Sequence, residues 1–566
     1  MREQTSLNAV PTVAIRRSKF LMWANHRSTM NAGELIPVLT YPDIYPGDSF
    51  RVRFNIVLNQ TTPLYPTMDN SWLDIRAFFV RNALVWDHWN EFIGENKTGS
   101  WAQQTEYTIP QIKYNAQLEW SRNYAGSLIH HMGVPIGKAT TEGEESSALP
   151  YRGYCMIWNE FYRDQNVCPP IPYTTGDNTI LMCYAPGINQ PKYIKSWFEY
   201  IDNIGTHVSE TGINCCAPVF KFRDYFNSCL PAPQKGPAVD LPLGEIAPIE
   251  FESGETANYA QDNQPALYDV RNKNKVGGVV NLAAVNGLLQ NTVEAFTPGS
   301  VPLTFSGYAN LQDATSATIN AVRMAGAMQR ILEKRARGGT RAVEINLQQW
   351  GVRSPDFYMQ RPEYLGGKRI PITMNRVLQT SSTDSTSPQG HQAAFSVTVD
   401  SDELFDKTFL DYGTLFILLA IRTESSYSQG LPRMFSRKYF EDFYNPSFAN
   451  LGEQAVLNQE IYKQGTSEDT EVFGYQERWA ELRSMLNLNT GLMATDAPTP
   501  LSAWHYGEFY ESQPILSKEW RRQSDTFVYR TLAVQNEPQY YFDSRCEITA
   551  VRPLPLWSIP GYFDHF

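Results

Sequence analysis

Chemistry in this 566-residue chain would have to start from its eight histidines, seven cysteines and paired acids. The histidines are scattered at positions 26, 88, 130, 131, 207, 391, 505 and 565. Only His130 and His131 are adjacent, and consecutive residues rarely ligate one metal unaided. His505 with Glu508 has the spacing of one half of a dinuclear carboxylate centre, but that chemistry needs the pair repeated, and it is not. The cysteines form no C-x-x-C pair and are odd in number, which argues against a structural zinc site or a disulfide framework and for reduced thiols. Glycine pairs occur at Gly338-Gly339 and Gly366-Gly367. Lys368-Arg369 follows the second pair, but the spacing fits no phosphate-cradling loop, so both pairs read as turns. Asp400-Ser401-Asp402-Glu403 is short of the ligands and the glycine of a calcium loop. Like Glu441-Asp442, a possible glycosidase acid pair, it reads as solvated loop charge. No catalytic residue and no metal ligand is assigned, and no cofactor is expected.

Two basic patches remain. Residues 1–27 carry Arg2, Arg16, Arg17, Lys19 and Arg27 against the single acid Glu3. Phe20 and Trp23 lie among these charges, a mixture that suits single-stranded nucleic acid because bases stack while cations meet phosphates. Arg16, Arg17, Lys19 and Arg27 are the candidate DNA contacts, a solvated tail being the plain alternative. The second patch is Arg323, Arg330, Lys334, Arg335, Arg337 and Arg341, where a solvated helix face or a subunit contact competes with nucleic acid. The net charge of −11 restricts any nucleic-acid contact to such local patches.

The elements that would position these residues are mostly strands. Aromatics make up 13% of the chain, with 36 prolines and 36 glycines, a composition for many short strands joined by long ordered loops. Alternation predicts strands over 33–38, 49–58, 72–80, 395–400, 413–422 and 546–552. Val85, Trp86, Trp89, Phe92 and Ile93 recur at helical spacing up to Gly94. Trp86, Trp89 and Phe92 are therefore expected to pack on the strands or on a neighbouring subunit. Further helices are expected over 154–163 and from an N-cap at Ser316 to Gly338-Gly339. Between 245 and 315 bulky aromatics thin out and glutamates cluster, as in an insertion, with 277–282 a candidate strand; 173–219 stays unassigned. The longest apolar run, Leu415 to Ile421, has the length of a buried strand, well short of the ~18 residues of a membrane span. A soluble protein made in a cytoplasm is expected.

Sequence blocks spread over the whole chain carry a resemblance. They include Asn31-Ala32-Gly33-Glu34-Leu35-Ile36-Pro37, Tyr45-Pro46-Gly47-Asp48, Leu84-Val85-Trp86-Asp87-His88-Trp89 and Asn159-Glu160-Phe161-Tyr162-Arg163-Asp164-Gln165-Asn166. Leu230-Pro231-Ala232-Pro233-Gln234-Lys235-Gly236-Pro237, Ala336-Arg337-Gly338-Gly339-Thr340-Arg341, Gln360-Arg361-Pro362-Glu363-Tyr364-Leu365-Gly366-Gly367 and Ile559-Pro560-Gly561-Tyr562-Phe563 follow in order. The chain resembles the major capsid proteins of the Microviridae, most closely the gokushovirus branch. That resemblance implies a mainly β fold, an eight-stranded antiparallel jelly-roll β-barrel with long inter-strand loops containing short helices and a large insertion. It implies a basic interior arm over 1–27, a discontinuous core over 28–244 and 316–566, and a threefold surface protrusion over 245–315. It further implies sixty copies in a T=1 icosahedral shell around circular single-stranded DNA. Minor virion proteins including a pilot protein, and a host-surface receptor, would be partners, with the virion as location after assembly in the host bacterial cytoplasm. The rival readings are a carbohydrate-binding or glycoside-hydrolysing β-protein and a monomeric host-attachment protein.

Overall fold

The computed structural model describes residues 15–97, 106–113, 125–135, 146–183, 211–237, 319–378, 392–449 and 451–557, with isolated residues and short strand backbones between these stretches. Eight long strands carry the fold. They are β1 (Ser18–Met30), β2 (Glu34–Ile44), β3 (Ser49–Gln60), β4 (Ser71–Arg81), β5 (Glu363–Pro371), β6 (Gln392–Thr408), β7 (Gly413–Thr423) and β8 (Tyr540–Arg552). They form two five-stranded antiparallel sheets. The first runs β1-β8-β3-β6 and ends on the short strand Met374–Leu378; the second runs β5-β4-β7-β2 and ends on Ala217–Pro218.

The two sheets enclose one apolar cluster. In β3 every second residue is buried, so Phe50, Val52, Phe54, Ile56 and Leu58 face inward while Arg51 and Arg53 face out. Leu73, Ile75, Ala77 and Phe79 of β4, with Leu415, Ile417, Leu419 and Ile421 of β7, meet them from the second sheet. The other face of the second sheet is covered too. Phe78, Val80, Phe416, Leu418 and Ala420 join a second cluster with helix α1 (Leu149–Ile157) and its π-helical continuation Trp158–Tyr162. Burial on both faces explains why β7 reads as an unbroken apolar run. Polar atoms of α1 and its continuation fix their seat. The Tyr154 hydroxyl donates to Leu35 O at 2.7 Å and accepts from Ala217 N at 2.8 Å, and Trp158 Nε1 donates to Pro218 O at 2.8 Å.

Several expectations change. The helix expected over 85–94 is two four-residue turns, Asn82–Val85 and Trp89–Phe92, because Trp86 is drawn into extended backbone between them. Gly366-Gly367 is no turn but the middle of β5. A Cβ on Gly366 would stand 2.5 Å from Leu404 O, and one on Gly367 2.5 Å from Ile75 O, so these glycines admit neighbouring backbone. Asp400 and Asp402 lie in β6, not in a loop, and Lys368 bridges them at 2.8 and 3.0 Å. The α1 helix begins five residues before the expected Tyr154, where Pro150 suits a first turn. Ser18–Met30 is paired along its full length with β8, so the boundary drawn at residue 27 falls inside a strand.

The chain divides into two compact units. Residues Gln234–Lys334 form the second, within which the expected insertion at 245–315 falls. Its described parts include three antiparallel strand pairs, such as Leu282–Val285 with Leu288–Asn291, and most of helix α2 (Ile319–Gly338). Ser316 and most of 277–282 lie outside the described residues.

Candidate functional site

The candidate sites of the sequence resolve differently. Trp86 is fully buried in the chain's own core, where its Nε1 donates to Asp177 Oδ1 at 2.7 Å. Trp89 is 7% exposed and meets Trp86 edge-on. Of this trio, Phe92 alone keeps an exposed ring, at 39%. Arg16, Arg17, Lys19 and Arg27 are exposed. Arg27 pairs with Asp543 at 3.0 Å, while Lys19 sits on the solvent side of β1 beside the exposed Leu21 and Trp23. In the second patch, Arg337 pairs with Glu453 and Glu477, and Arg341 with Glu344 and Glu160. Both find acids within their own chain.

His505 and Glu508 are buried, but they serve separate networks. His505 Nδ1 accepts from Gly507 N at 3.0 Å, and Glu508 meets Lys221 at 2.6 Å. Among the described residues, no group of three or more His, Cys, Asp or Glu side chains could hold a metal ion. Cys155, Cys168, Cys215, Cys216, Cys229 and Cys546 are free thiols. Burial pushes Cys155 and Cys546 up to about 12, which removes the thiolate that reactivity needs.

His131 sits under β1, with its Nδ1 3.3 Å from Ser28 Oγ. Burial, with the neighbouring His26 and His130, lowers it from 6.5 to about 4. Unfolded, it takes a proton as the pH falls through 6.5; folded, it resists until about 4. The buried neutral His131 therefore costs no stability above pH 6.5 and costs progressively more as the pH falls from there towards 4. We expect His131→Gln to flatten this loss, measured as the shift of the urea midpoint from about pH 7 to about pH 5. An equally steep loss in the variant would place the acid sensitivity elsewhere.

Exposed apolar side chains cluster in two places. Between Arg433 and Phe448 three short 3₁₀ turns hold Phe435 at 71% exposure and Tyr439 at 70%. Phe440, Phe443 and Tyr444 lie exposed beside them. On the outer face of the first sheet Val57, Phe395, Val397 and Val399 are exposed with Trp23. Single exposed hydrophobics are ordinary, whereas clustered exposed aromatics are candidate interaction surfaces.

By class this is a two-sheet antiparallel β-protein with exposed aromatic surfaces. Comparison with known proteins defines the family. Residues 8–562 match the family model described as Capsid protein (F protein), and the chain belongs to that family. It is 35% identical to "Capsid protein VP1" of Bdellovibrio phage phiMH2K, over 100% of this chain and 98% of that one. It is 32% identical to "Capsid protein VP1" of Chlamydia phage 1, over 98% and 96%, and 33% identical to "Capsid protein VP1" of Spiroplasma virus 4, over 97% and 95%. The resemblance to gokushovirus capsid proteins that the sequence blocks carry is thereby borne out.

The residues that sequence reasoning missed are cationic. A cleft against the outer face of the second sheet gathers arginines from positions 76 to 521. Of its cations, Arg341 and Arg369 are singled out for their charge in the sequence, and Arg163 and Arg361 stand there only as members of the resemblance blocks. No spacing signal could have found the rest, because the fold alone brings them together.

Proposed function

We propose that this protein is the major coat subunit of a small single-stranded DNA phage, sixty copies of which close a T=1 icosahedral shell around the circular genome. The observation that carries this reading is the exposed aromatic run from Phe435 to Tyr444 in a chain of the capsid-protein family. Burying such rings against neighbouring copies is what a stable shell contact requires. The strand order supports a jelly roll. With eight long strands in chain order, β1-β8-β3-β6 faces β5-β4-β7-β2, the arrangement that two interleaved Greek keys generate. Phe92 and the neighbouring Ile93, 39% and 48% exposed, are the part of the tryptophan stretch available to another subunit.

The residues before β1 and the start of that strand serve as an interior arm, with Arg16, Arg17 and Lys19 meeting DNA phosphates without sequence preference. The insertion over 245–315 would serve as the surface protrusion, available for host attachment. Minor virion proteins and a host receptor complete the partners, and the protein functions in the virion. The test is expression of the intact chain followed by sedimentation. Particles of one size support the reading, and monomers persisting at high concentration overturn it. In particles that package DNA, replacing Arg16, Arg17 and Lys19 with alanine should lower the DNA content per particle while shells still form. Unchanged DNA content would remove the arm from this account.

A further inference from the structure

The cationic cleft has a volume of about 730 Å³, within the range of ligand-binding pockets. Ten of its lining side chains are positively charged, nine of them arginines, in a protein whose net charge is −11. Six are answered by carboxylates. Asp74 takes both Arg369 and Arg422, and Asp164 takes Arg521. Glu344 lies 2.9 Å from Arg341, Asp356 3.2 Å from Arg361, and Glu508 2.6 Å from Lys221. The remaining four, Arg76, Arg163, Arg223 and Arg353, have no carboxylate at ion-pair distance among the described residues. With Glu160 counted beside Arg341 and Arg361, six acids face ten cations, and the cleft keeps an excess of four positive charges.

The cations repel one another. Burial lowers Arg422, and Arg76 and Arg369 add to the effect; burial lowers Arg163, and Arg341 adds to it. Arg422 and Arg521 also leave a buried Nε without a hydrogen-bond partner among the described residues. An anion would relieve both. Aromatic rings interleave these charges. Phe222 has Arg369 and Arg422 at 4.4 and 4.3 Å from its centroid, Phe161 has Arg361 at 4.2 Å, and Tyr162 has Arg76 at 5.5 Å. Guanidinium forks match phosphate geometry, and rings among cations suit a strand that offers phosphates and bases together.

We propose that this cleft binds the phosphate groups of single-stranded nucleic acid and is a docking site for a segment of the packaged strand. The inference rests on the coat-protein reading and adds to it a second, folded DNA contact, separate from the arm. A carboxylate-bearing protein segment is the competing ligand, and it would use the guanidinium groups without stacking on the rings.

The experiment uses the full-length protein and a short fluorescent oligothymidylate, with binding followed by anisotropy across a salt series. The variant Arg223→Glu/Arg353→Glu changes two exposed side chains, and Arg223→Gln/Arg353→Gln repeats the test without charge reversal. Both should weaken binding, the reversal by at least about tenfold. Both should make the slope of log K against log salt shallower by about 1.4, the loss of two phosphate contacts to a single strand. Inorganic phosphate and polyglutamate serve as competitors. Displacement of the oligonucleotide only at high phosphate, with polyglutamate ineffective, supports the strand. Equal competition by polyglutamate overturns it in favour of an acidic protein segment. Saturation by phosphate alone, with no gain for the oligonucleotide, overturns it in favour of a free-phosphate site. Unchanged affinity and slope in both cleft variants, with normal particles, overturn the cleft while leaving the coat reading intact; failure to form particles at all would instead remove the coat reading.

Discussion

Replacing Trp86 with alanine should destabilise the folded chain by about 3–5 kcal/mol, the range for removing a large aromatic from a packed core. The ring is wholly buried, lies 5.3 Å from the Phe92 ring and 6.2 Å from that of Trp89, and anchors Asp177 through Nε1. Its loss would leave a cavity in that core, while Asp177 would keep only its contact with His88 Nδ1 at 3.0 Å. The urea midpoint, followed by circular dichroism, measures the effect. A midpoint within error of the parent's would mean that the stretch is held by something other than its tryptophans. Phe92→Ala gives the contrast. That ring is already partly exposed, so the isolated chain should lose less than about 1 kcal/mol while particle yield falls. If both substitutions acted only on assembly, the burial of Trp86 would have been misread.

Asp74→Ala should be nearly as damaging, by about 3 kcal/mol, for an electrostatic reason. Asp74 lies on β4 with 4% of its side chain exposed and accepts from Arg369 Nε at 2.7 Å and from Arg422. Burial raises its pKa, but Arg422 and Arg369 outweigh that and hold it below the ordinary carboxylate range. Without it, the largely buried Arg422 has lost its counterion. Arg369 is nearly half exposed and is screened by water, which keeps the expected loss at the low end. A double-mutant cycle with Arg422→Leu checks the attribution, because the pair should lose clearly less than the sum of the single changes. Strict additivity would show that the two side chains do not stabilise each other. The sign with pH follows from the lowered value. The contribution of Asp74 is present above the unfolded carboxylate pKa and is lost as the pH falls through the folded one.

These two residues also mark what the sequence could and could not tell. The alternation of Phe50 to Leu58 put β3 where it is, and the apolar run of β7 read as a buried strand because it has apolar neighbours on both faces. β1 was hidden. Its inward side carries Phe20, Met22 and Met30, but Ser18, His26 and Ser28 interrupt that period and the outward side carries Leu21 and Trp23, so alternation does not separate its two faces. β5 was hidden by Gly366-Gly367, whose role is set by Leu404 and Ile75, residues distant in the chain. The tryptophan stretch was legible as a packing device, but which rings face inward was decided by the seat of α1. The cleft was illegible altogether. Arg76, Arg163, Arg223 and Arg353 acquire a common meaning only when β4, the end of α1 and two loops meet at the outer face of the second sheet. Family membership was legible because its residue blocks persist along the chain, and they include Arg163, Arg341 and Arg361 without saying why.

The central claim is that this chain closes a shell through its exposed aromatic surface. Electron cryomicroscopy of the purified, assembled protein tests it most directly. The expected result is a T=1 icosahedral particle of sixty subunits in which Phe435, Tyr439 and Phe440 are buried against a neighbouring copy. Particles of another symmetry, or a shell in which those rings remain open to solvent, would contradict it.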